Sequence, residues 1–403
     1  MKKGRIAITA GFVVVTAILA TWVLMALEPP SPSTLASAQA SASPAAYPST
    51  SPATSPPPEP WNLDADIGAI TVLSWTAQTP WSQVSAELAR DQVGGVLLFA
   101  PNFGGTPQGL KKLNDRLLAL ATANCLSHPL LTMLDEEGGD VANVKAVFAP
   151  PSQMAMAAGG AAHVHDLESA NGAGLRSAGV GLDLAPVADV RTNPYDGVIG
   201  TRSFGSSPGL VAPLVGAAVQ GLHDGGVGAT IKHFPGLGGA AGDPHLAIPT
   251  DTETEARWNA VQLPAFRAGI QAGADAVMVT AVYVPGLGAG SMPAVFSPAV
   301  VGRIRTQLGF NGVVMTDSLS MGGIGVKWSL PQAAVMAVAA GNDMLLLSNG
   351  DPGYEAAAIA AVKGAVRSGR LSWAQVHASA MRVNALRDRW GRRLLPCRAG
   401  AIA

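Results

Sequence analysis

Asp243-Pro244-His245 sets a carboxylate and an imidazole two residues apart, just after Gly238-Gly239-Ala240-Ala241-Gly242, a run with little side chain to hold it in place. An imidazole donates and accepts protons near neutrality, and a neighbouring carboxylate orients it and stabilises its charged form, so the pair can act as an acid/base on a movable lid. The same residues also suit a solvated turn. Asp317 closes the apolar run Gly312-Val313-Val314-Met315-Thr316, which delivers one carboxylate to a strand end. There it can serve as a nucleophile or cap the next segment.

Three further segments carry polar groups out of apolar runs. Ile231-Lys232-His233-Phe234-Pro235-Gly236 places a cation and an imidazole in succession, then leaves the sheet through a Pro-Gly break. Leu134-Asp135-Glu136-Glu137-Gly138-Gly139 offers three carboxylates, able to hold sugar hydroxyls or a cation, next to glycines that let backbone approach a ligand. Asp189 ends a run that begins at Leu184, and Arg202 lies among the small and apolar residues 198–205. Either would equally suit a structural ion pair.

Eight short β-rich apolar runs must position these groups, near residues 69–74, 95–100, 130–134, 181–185, 229–232, 276–280, 312–316 and 344–348. Stretches with helical spacing fill the gaps, for example 107–123, 208–225, 253–272, 298–308 and 331–340. Alternating strands and helices imply a parallel sheet with helical crossovers, and eight such units predict an α/β fold of the closed (β/α)8 TIM barrel kind. Asn102, Asp135, Asp189, Lys232 with His233, Asp317 and Asn349 all come after strand runs, so in a barrel they converge on the mouth formed by the C-terminal strand ends. The competing doubly wound sheet would use a Gly-rich phosphate turn, and no G-x-G-x-x-G opens a helix after the first strand.

With 403 residues, 48% apolar and 13% charged, the chain can bury a large core. A net charge of -1 provides no field to gather nucleic acid. Cys125 and Cys397 lack zinc-site spacing, and they either bridge or stay free. Lys2, Lys3 and Arg5 precede an uncharged apolar run over residues 6–27, long enough to span a bilayer and oriented so that the remainder of the chain lies outside the cytoplasm. Residues 1–28 therefore read as a signal peptide or signal anchor, with small-residue cleavage sites over 35–40 leaving both a secreted and an anchored product open. Residues 29–60, rich in Ser, Pro and Ala, read as a disordered tether, 61–396 as the barrel and 397–403 as a tail.

KHFPG with Asp243-Pro244-His245 downstream, then TDSLSM, with APVADV and IGTRSFG in register, together resemble glycoside hydrolase family 3, in particular its single-barrel bacterial β-N-acetylglucosaminidases. The resemblance implies a monomeric exo-glycosidase that releases terminal β-linked N-acetylglucosamine, with peptidoglycan or its fragments as substrate. It implies Asp317 as the nucleophile of a glycosyl-enzyme and His245 as acid/base with Asp243 as its partner. Asp135, Arg202, Lys232 and His233 would hold the ring hydroxyls of the terminal sugar. No metal and no organic cofactor is implied.

The chain departs from the family pattern at the mouth. Asp140 and Asn143 stand where the family usually carries basic residues, Leu237 where it often has histidine, and Val282 where the sixth strand usually ends in histidine. These changes leave other readings open: a non-catalytic carbohydrate-binding barrel, or a family 3 enzyme of shifted specificity, a β-glucosidase or a phosphorylase in which phosphate replaces water. A metal hydrolase using His233, His245, Asp135 and Asp317 is a further possibility, though without the close helical histidine spacing of a metal motif. His128, His163, His165 and His223 are expected in surface or capping positions.

Overall fold

The computed structural model describes residues 62–144, 149–195, 198–348 and 350–396. Asn349, Cys397 and the N-terminal apolar and Ser/Pro/Ala segments lie outside these residues. The expected strands form in sequence order: β1 Thr71–Leu73, β2 Gly95–Leu97, β3 Leu131–Leu134, β4 Leu182–Asp183, β5 Gly228–Phe234, β6 Ala276–Val279, β7 Val313–Thr316 and β8 Leu345–Leu347. Each pairs in parallel with the next, β8 pairs with β1, and a parallel bridge between Met315 and Met344 joins β7 to β8. The sheet thus closes on itself as a (β/α)8 barrel.

Strand residues here are buried on both faces, which is why they read as continuous apolar runs rather than alternating ones. The helices begin where local chemistry satisfies their free N–H groups. Thr106 caps Pro107–Ala123 by accepting from the Gly109 N–H, and Ser329 with Gln332 forms a capping box on Leu330–Ala340. The stretch expected as one helix over 253–272 is two, Glu255–Val261 and Leu263–Gln271. Pro264 cannot donate to the preceding turn, and the Gln262 amide at the break is buried, accepting from the Val190 N–H at 3.0 Å and donating to the Val190 carbonyl at 3.0 Å.

Charged groups on the barrel end opposite the mouth tie the last helix, Trp373–Trp390, to the strands. Asp275, just before β6, accepts from the Ala229 N–H and the Trp390 indole and meets His223 Nε2 at 2.7 Å. His223, in the last turn of the helix Pro208–Asp224, also stacks on Trp390, so this half-buried residue latches that helix end to the last helix. Asp343, before β8, binds Ser379, Arg382 and Arg305. His128 and His165 pair with Asp388 and Asp224. Polar residues at this end serve stability, and those at the other end are free for chemistry. Cys125 is disulfide-bonded.

Candidate active site

Asp317 comes directly after β7, and its own N–H donates to Val279 on β6 at 2.8 Å, which fixes its height at the barrel mouth. The Thr280 hydroxyl donates to Asp317 Oδ2 at 2.7 Å, and the Ser318 N–H donates to Oδ1 at 2.8 Å. Both carboxylate oxygens are therefore oriented by donors from two adjacent strands. Such bonds hold the carboxylate in one direction at the mouth of the barrel.

A chain of alternating charges lines the other side of the mouth. Lys232, 1% exposed at the end of β5, bonds to Asp135 and lies 2.6 Å from Glu137 Oε1. Glu137 in turn takes both prongs of Arg202, at 2.7 and 2.8 Å. Arg202 Nη2 then reaches His233 Nε2 at 3.2 Å, and His233 Nδ1 faces Asp189 Oδ2 at 2.8 Å. Because arginine only donates, Nε2 accepts and Nδ1 carries the proton given to Asp189. Burial pushes the Glu137 carboxyl up, but the Lys232 and Arg202 charges outweigh it and hold the group down at about 2. Burial likewise opposes charge on Lys232 and Arg202, and their carboxylate partners raise both above the ordinary values.

Asp243 and His245 sit on the loop after β5. His245 Nδ1 meets Asp243 Oδ1 at 2.7 Å, and the His245 N–H donates to the same oxygen at 2.9 Å. Burial raises the Asp243 carboxyl, but the two bonds from His245 leave it below the usual carboxylate value. The His245 side chain is 65% exposed. The loop is pinned at its base, where Ala241 bridges Thr250 and the Gly238 carbonyl accepts from Thr192 and Asn193. Its tip rests on the segment after Asp317: a Cβ on Gly322 would lie 2.4 Å from the His245 carbonyl oxygen, so only glycine permits that approach.

Asp317, His245, Asp135, Glu137, Arg202, Lys232 and His233 all line one cavity of about 480 Å³, within the range of ligand sites. Of the expected site residues, Asp243 lies behind His245, and the others face the cavity. Asp189, expected at the mouth, lies behind His233, Glu137 is the one of two adjacent glutamates that faces the cavity, and Thr280 carries no signal in the sequence. Its neighbour Glu136 lies outside the cavity: its Oε2 accepts from the N–H groups of Asn143 and Val144, and its backbone N–H and carbonyl meet Asp183 and Asn171, which cluster with Glu168.

The four departures from the family pattern differ in consequence. Asn143 is structural: it accepts from the Ala100 N–H and donates to the Asp135 carbonyl, both at 2.8 Å. Asp140 accepts from the Thr201 hydroxyl at 3.3 Å, and Val282 is fully buried in the core. Leu237 alone lines the cavity, while its N–H donates to Asp189 at 2.7 Å. Among the described residues, no group of three or more His, Cys, Asp or Glu side chains is arranged to hold a metal ion.

Known proteins share this barrel. Residues 63–386 match the glycosyl hydrolase family 3 N terminal domain. The chain is 33% identical over 311 residues to beta-hexosaminidase LpqI of Mycobacterium tuberculosis, covering 75% of this chain and 77% of that protein. It is 34% identical over 273 residues to a beta-hexosaminidase of Idiomarina loihiensis, covering 65% of this chain and 78% of that one. Among solved structures it is similar to a glycoside hydrolase family 3 beta-N-acetylglucosaminidase from Paenibacillus, with a TM-score of 0.79 and 34% identity over 84% of this chain. The chain spans 65% of that enzyme's length. It is also similar to beta-N-acetylhexosaminidase from Beutenbergia cavernae, with a TM-score of 0.74, 31% identity, and coverage of 81% of this chain and 98% of the other. The match takes in every strand of the barrel and every residue placed at its mouth, and this chain belongs to glycoside hydrolase family 3.

Proposed function

We propose that this protein is a retaining exo-β-N-acetylglucosaminidase that acts outside the cytoplasm on peptidoglycan or its fragments. One observation carries the reading: Asp317, oriented by Thr280 and Ser318, lines the same cavity as His245 and the ion-paired set Asp135, Lys232 and Arg202. The relatives named beta-hexosaminidase and beta-N-acetylglucosaminidase support the choice of sugar.

In the first step the Asp317 carboxylate attacks the anomeric carbon, the bond to the leaving oxygen breaks, and His245 gives that oxygen a proton. In the second step His245 takes a proton from water, whose oxygen attacks the same carbon and displaces Asp317. Each displacement inverts the centre, so the product keeps the β configuration. Asp243 holds the imidazole through Nδ1, leaving Nε2 for proton transfer. Asp135, Lys232, Arg202 and His233 bind the ring hydroxyls of the terminal sugar, and the charge chain among them fixes their directions before substrate arrives.

Release of p-nitrophenol from its β-N-acetylglucosaminide tests the reading, with Asp317→Ala and His245→Ala measured beside the parent. Activity lost in both variants supports it. A parent protein that binds the sugar but cleaves neither this glycoside nor the matching glucoside and xyloside would make it a binding protein instead. The site outside the cytoplasm rests on Lys2, Lys3 and Arg5 ahead of the apolar run. Finding the protein in the cytosolic fraction of intact cells would overturn that part.

A further inference from the structure

Past β4 the chain runs from Val187 to Val190 as a fully buried segment that does not line the cavity. It lies beside the end of β5, where Val187 is bridged in parallel to Lys232. Two glutamines with no exposed surface bracket it. Gln153 accepts from the Val187 N–H at 2.8 Å and donates to the Val187 carbonyl at 2.9 Å, and Gln262 does the same for Val190, both bonds at 3.0 Å. A side-chain amide can meet both groups of one residue because it carries an acceptor and a donor side by side. The brackets come from opposite flanks. Gln153 follows Pro150 and Pro151, and the Pro150 carbonyl accepts from the Gly139 N–H in the hairpin that bears Glu137. Gln262 lies against the turn after His233, where a Cβ on Gly236 would be 2.9 Å from its amide carbon and oxygen.

Asp189 sits between the two bracketed residues. Its Oδ1 accepts from the Leu237 N–H at 2.7 Å, and its Oδ2 meets His233 Nδ1 at 2.8 Å. Its carbonyl accepts from the hydroxyl of Ser203, the residue after Arg202, at 2.7 Å. One residue thus ties together the supports of two groups in the sugar-holding set. Arg202 donates to His233 Nε2 at 3.2 Å, which requires the imidazole proton to be on Nδ1, and Asp189 Oδ2 is the acceptor that keeps it there.

Resting on the exo-glycosidase reading, we propose that Asp189 is a positioning residue that sets the tautomer and direction of His233 for the terminal sugar, and that Gln153 and Gln262 hold it to that task. With the Nδ1 proton given to Asp189, Nε2 is an acceptor on the cavity side, so a sugar hydroxyl that meets His233 must be the donor. Asparagine would reverse this. In Asp189→Asn the amide oxygen must face the Leu237 N–H, which can only donate, and the amide nitrogen then faces Nδ1. The imidazole proton is driven to Nε2, against the donors of Arg202 and of the sugar.

Two measurements on the full chain test the proposal. Kinetics follow release of p-nitrophenol from its β-N-acetylglucosaminide, and nitrogen NMR of isotopically histidine-labelled protein at mildly alkaline pH reports which ring nitrogen carries the proton, with His233 assigned by its loss in His233→Gln. We expect the His233 proton on Nδ1 in the parent and on Nε2 in Asp189→Asn, with KM raised about tenfold or more and kcat changed by less than about threefold. Gln153→Met and Gln262→Met, which keep the bulk and remove the amide, should each raise KM by a smaller factor with kcat nearly kept. The parent spectrum and these two variants decide the matter even if Asp189→Asn does not fold. A proton on Nε2 in the parent, an Asp189→Asn protein that keeps the parent's tautomer and KM, or a loss confined to kcat in the glutamine variants would overturn the proposal. A parent that does not cleave the glycoside would overturn the hydrolase reading, while the spectra, read without turnover, still decide whether Asp189 sets the tautomer.

Discussion

The hydroxyl of Thr280 donates to Oδ2 of Asp317 at 2.7 Å, linking the residue just past one barrel strand to the carboxylate that ends the next. A hydrogen bond to a charged group is worth roughly 1.5–3 kcal/mol. If it orients the nucleophile, Thr280→Val should lower kcat by about 10- to 100-fold while KM changes little. Steady-state kinetics on the p-nitrophenyl glycoside would show this, and a change confined to KM would argue against the role.

Glu137 is the buried hinge of the charge chain, and Glu137→Gln leaves Lys232 and Arg202 short of a counter-charge. Breaking a buried pair in this way costs about 3–5 kcal/mol, so the variant should melt well below the parent. The sign with pH comes from the depressed carboxyl at about 2. The stabilisation is present above the unfolded value and is lost as pH falls from the ordinary carboxylate range toward 2. Thermal melts between pH 3 and 7 should converge for parent and variant at the acid end.

The opposite dependence comes from the cluster behind β3. Burial raises Glu168 to about 8, Glu136 to about 7 and Asp183 well above its ordinary value. These groups bind protons more tightly when folded, so their contribution is complete at low pH and is lost as pH rises through 7 and 8. Glu168→Gln keeps the neutral shape, and its melting temperature should decline less than the parent's between pH 6 and 9. Parallel curves would contradict the assignment.

Gly322 lets the His245 loop rest on the segment after Asp317, since an added Cβ would lie 2.4 Å from the His245 carbonyl oxygen. Gly322→Ala should therefore displace the loop and reduce kcat, while the melting temperature stays close to the parent's. A variant with full activity would show that the loop position seen here is not the working one.

Much of this site was legible in the sequence because its residues end apolar runs. Asp317, Lys232, His233 and Asp135 each lie at a strand end, and a closed parallel barrel brings such ends together whatever the loop lengths between them. Other parts had no local signal. Thr280 reads as the polar end of a β-rich strand, and its bond to Asp317 exists only because β6 and β7 pair in one particular register. Glu137 and Glu136 are adjacent and chemically alike, and only the hairpin just past β3 decides which faces the cavity. His223 has the sequence setting of a helix-surface residue, and only the last helix brings Trp390 to it beside Asp275. Asn143 stands where a basic residue was expected and ties loops together.

The step that the proposed mechanism depends on most is formation of a covalent bond between Asp317 and the sugar. In His245→Ala the second step lacks its base, so the intermediate should accumulate when the enzyme is mixed with an activated β-N-acetylglucosaminide and quenched in acid. Peptide mass spectrometry of the quenched protein should then find one N-acetylglucosaminyl group on the peptide carrying Asp317, and none in Asp317→Ala. An unmodified Asp317 peptide during continuing turnover, or the sugar on another residue, would contradict it.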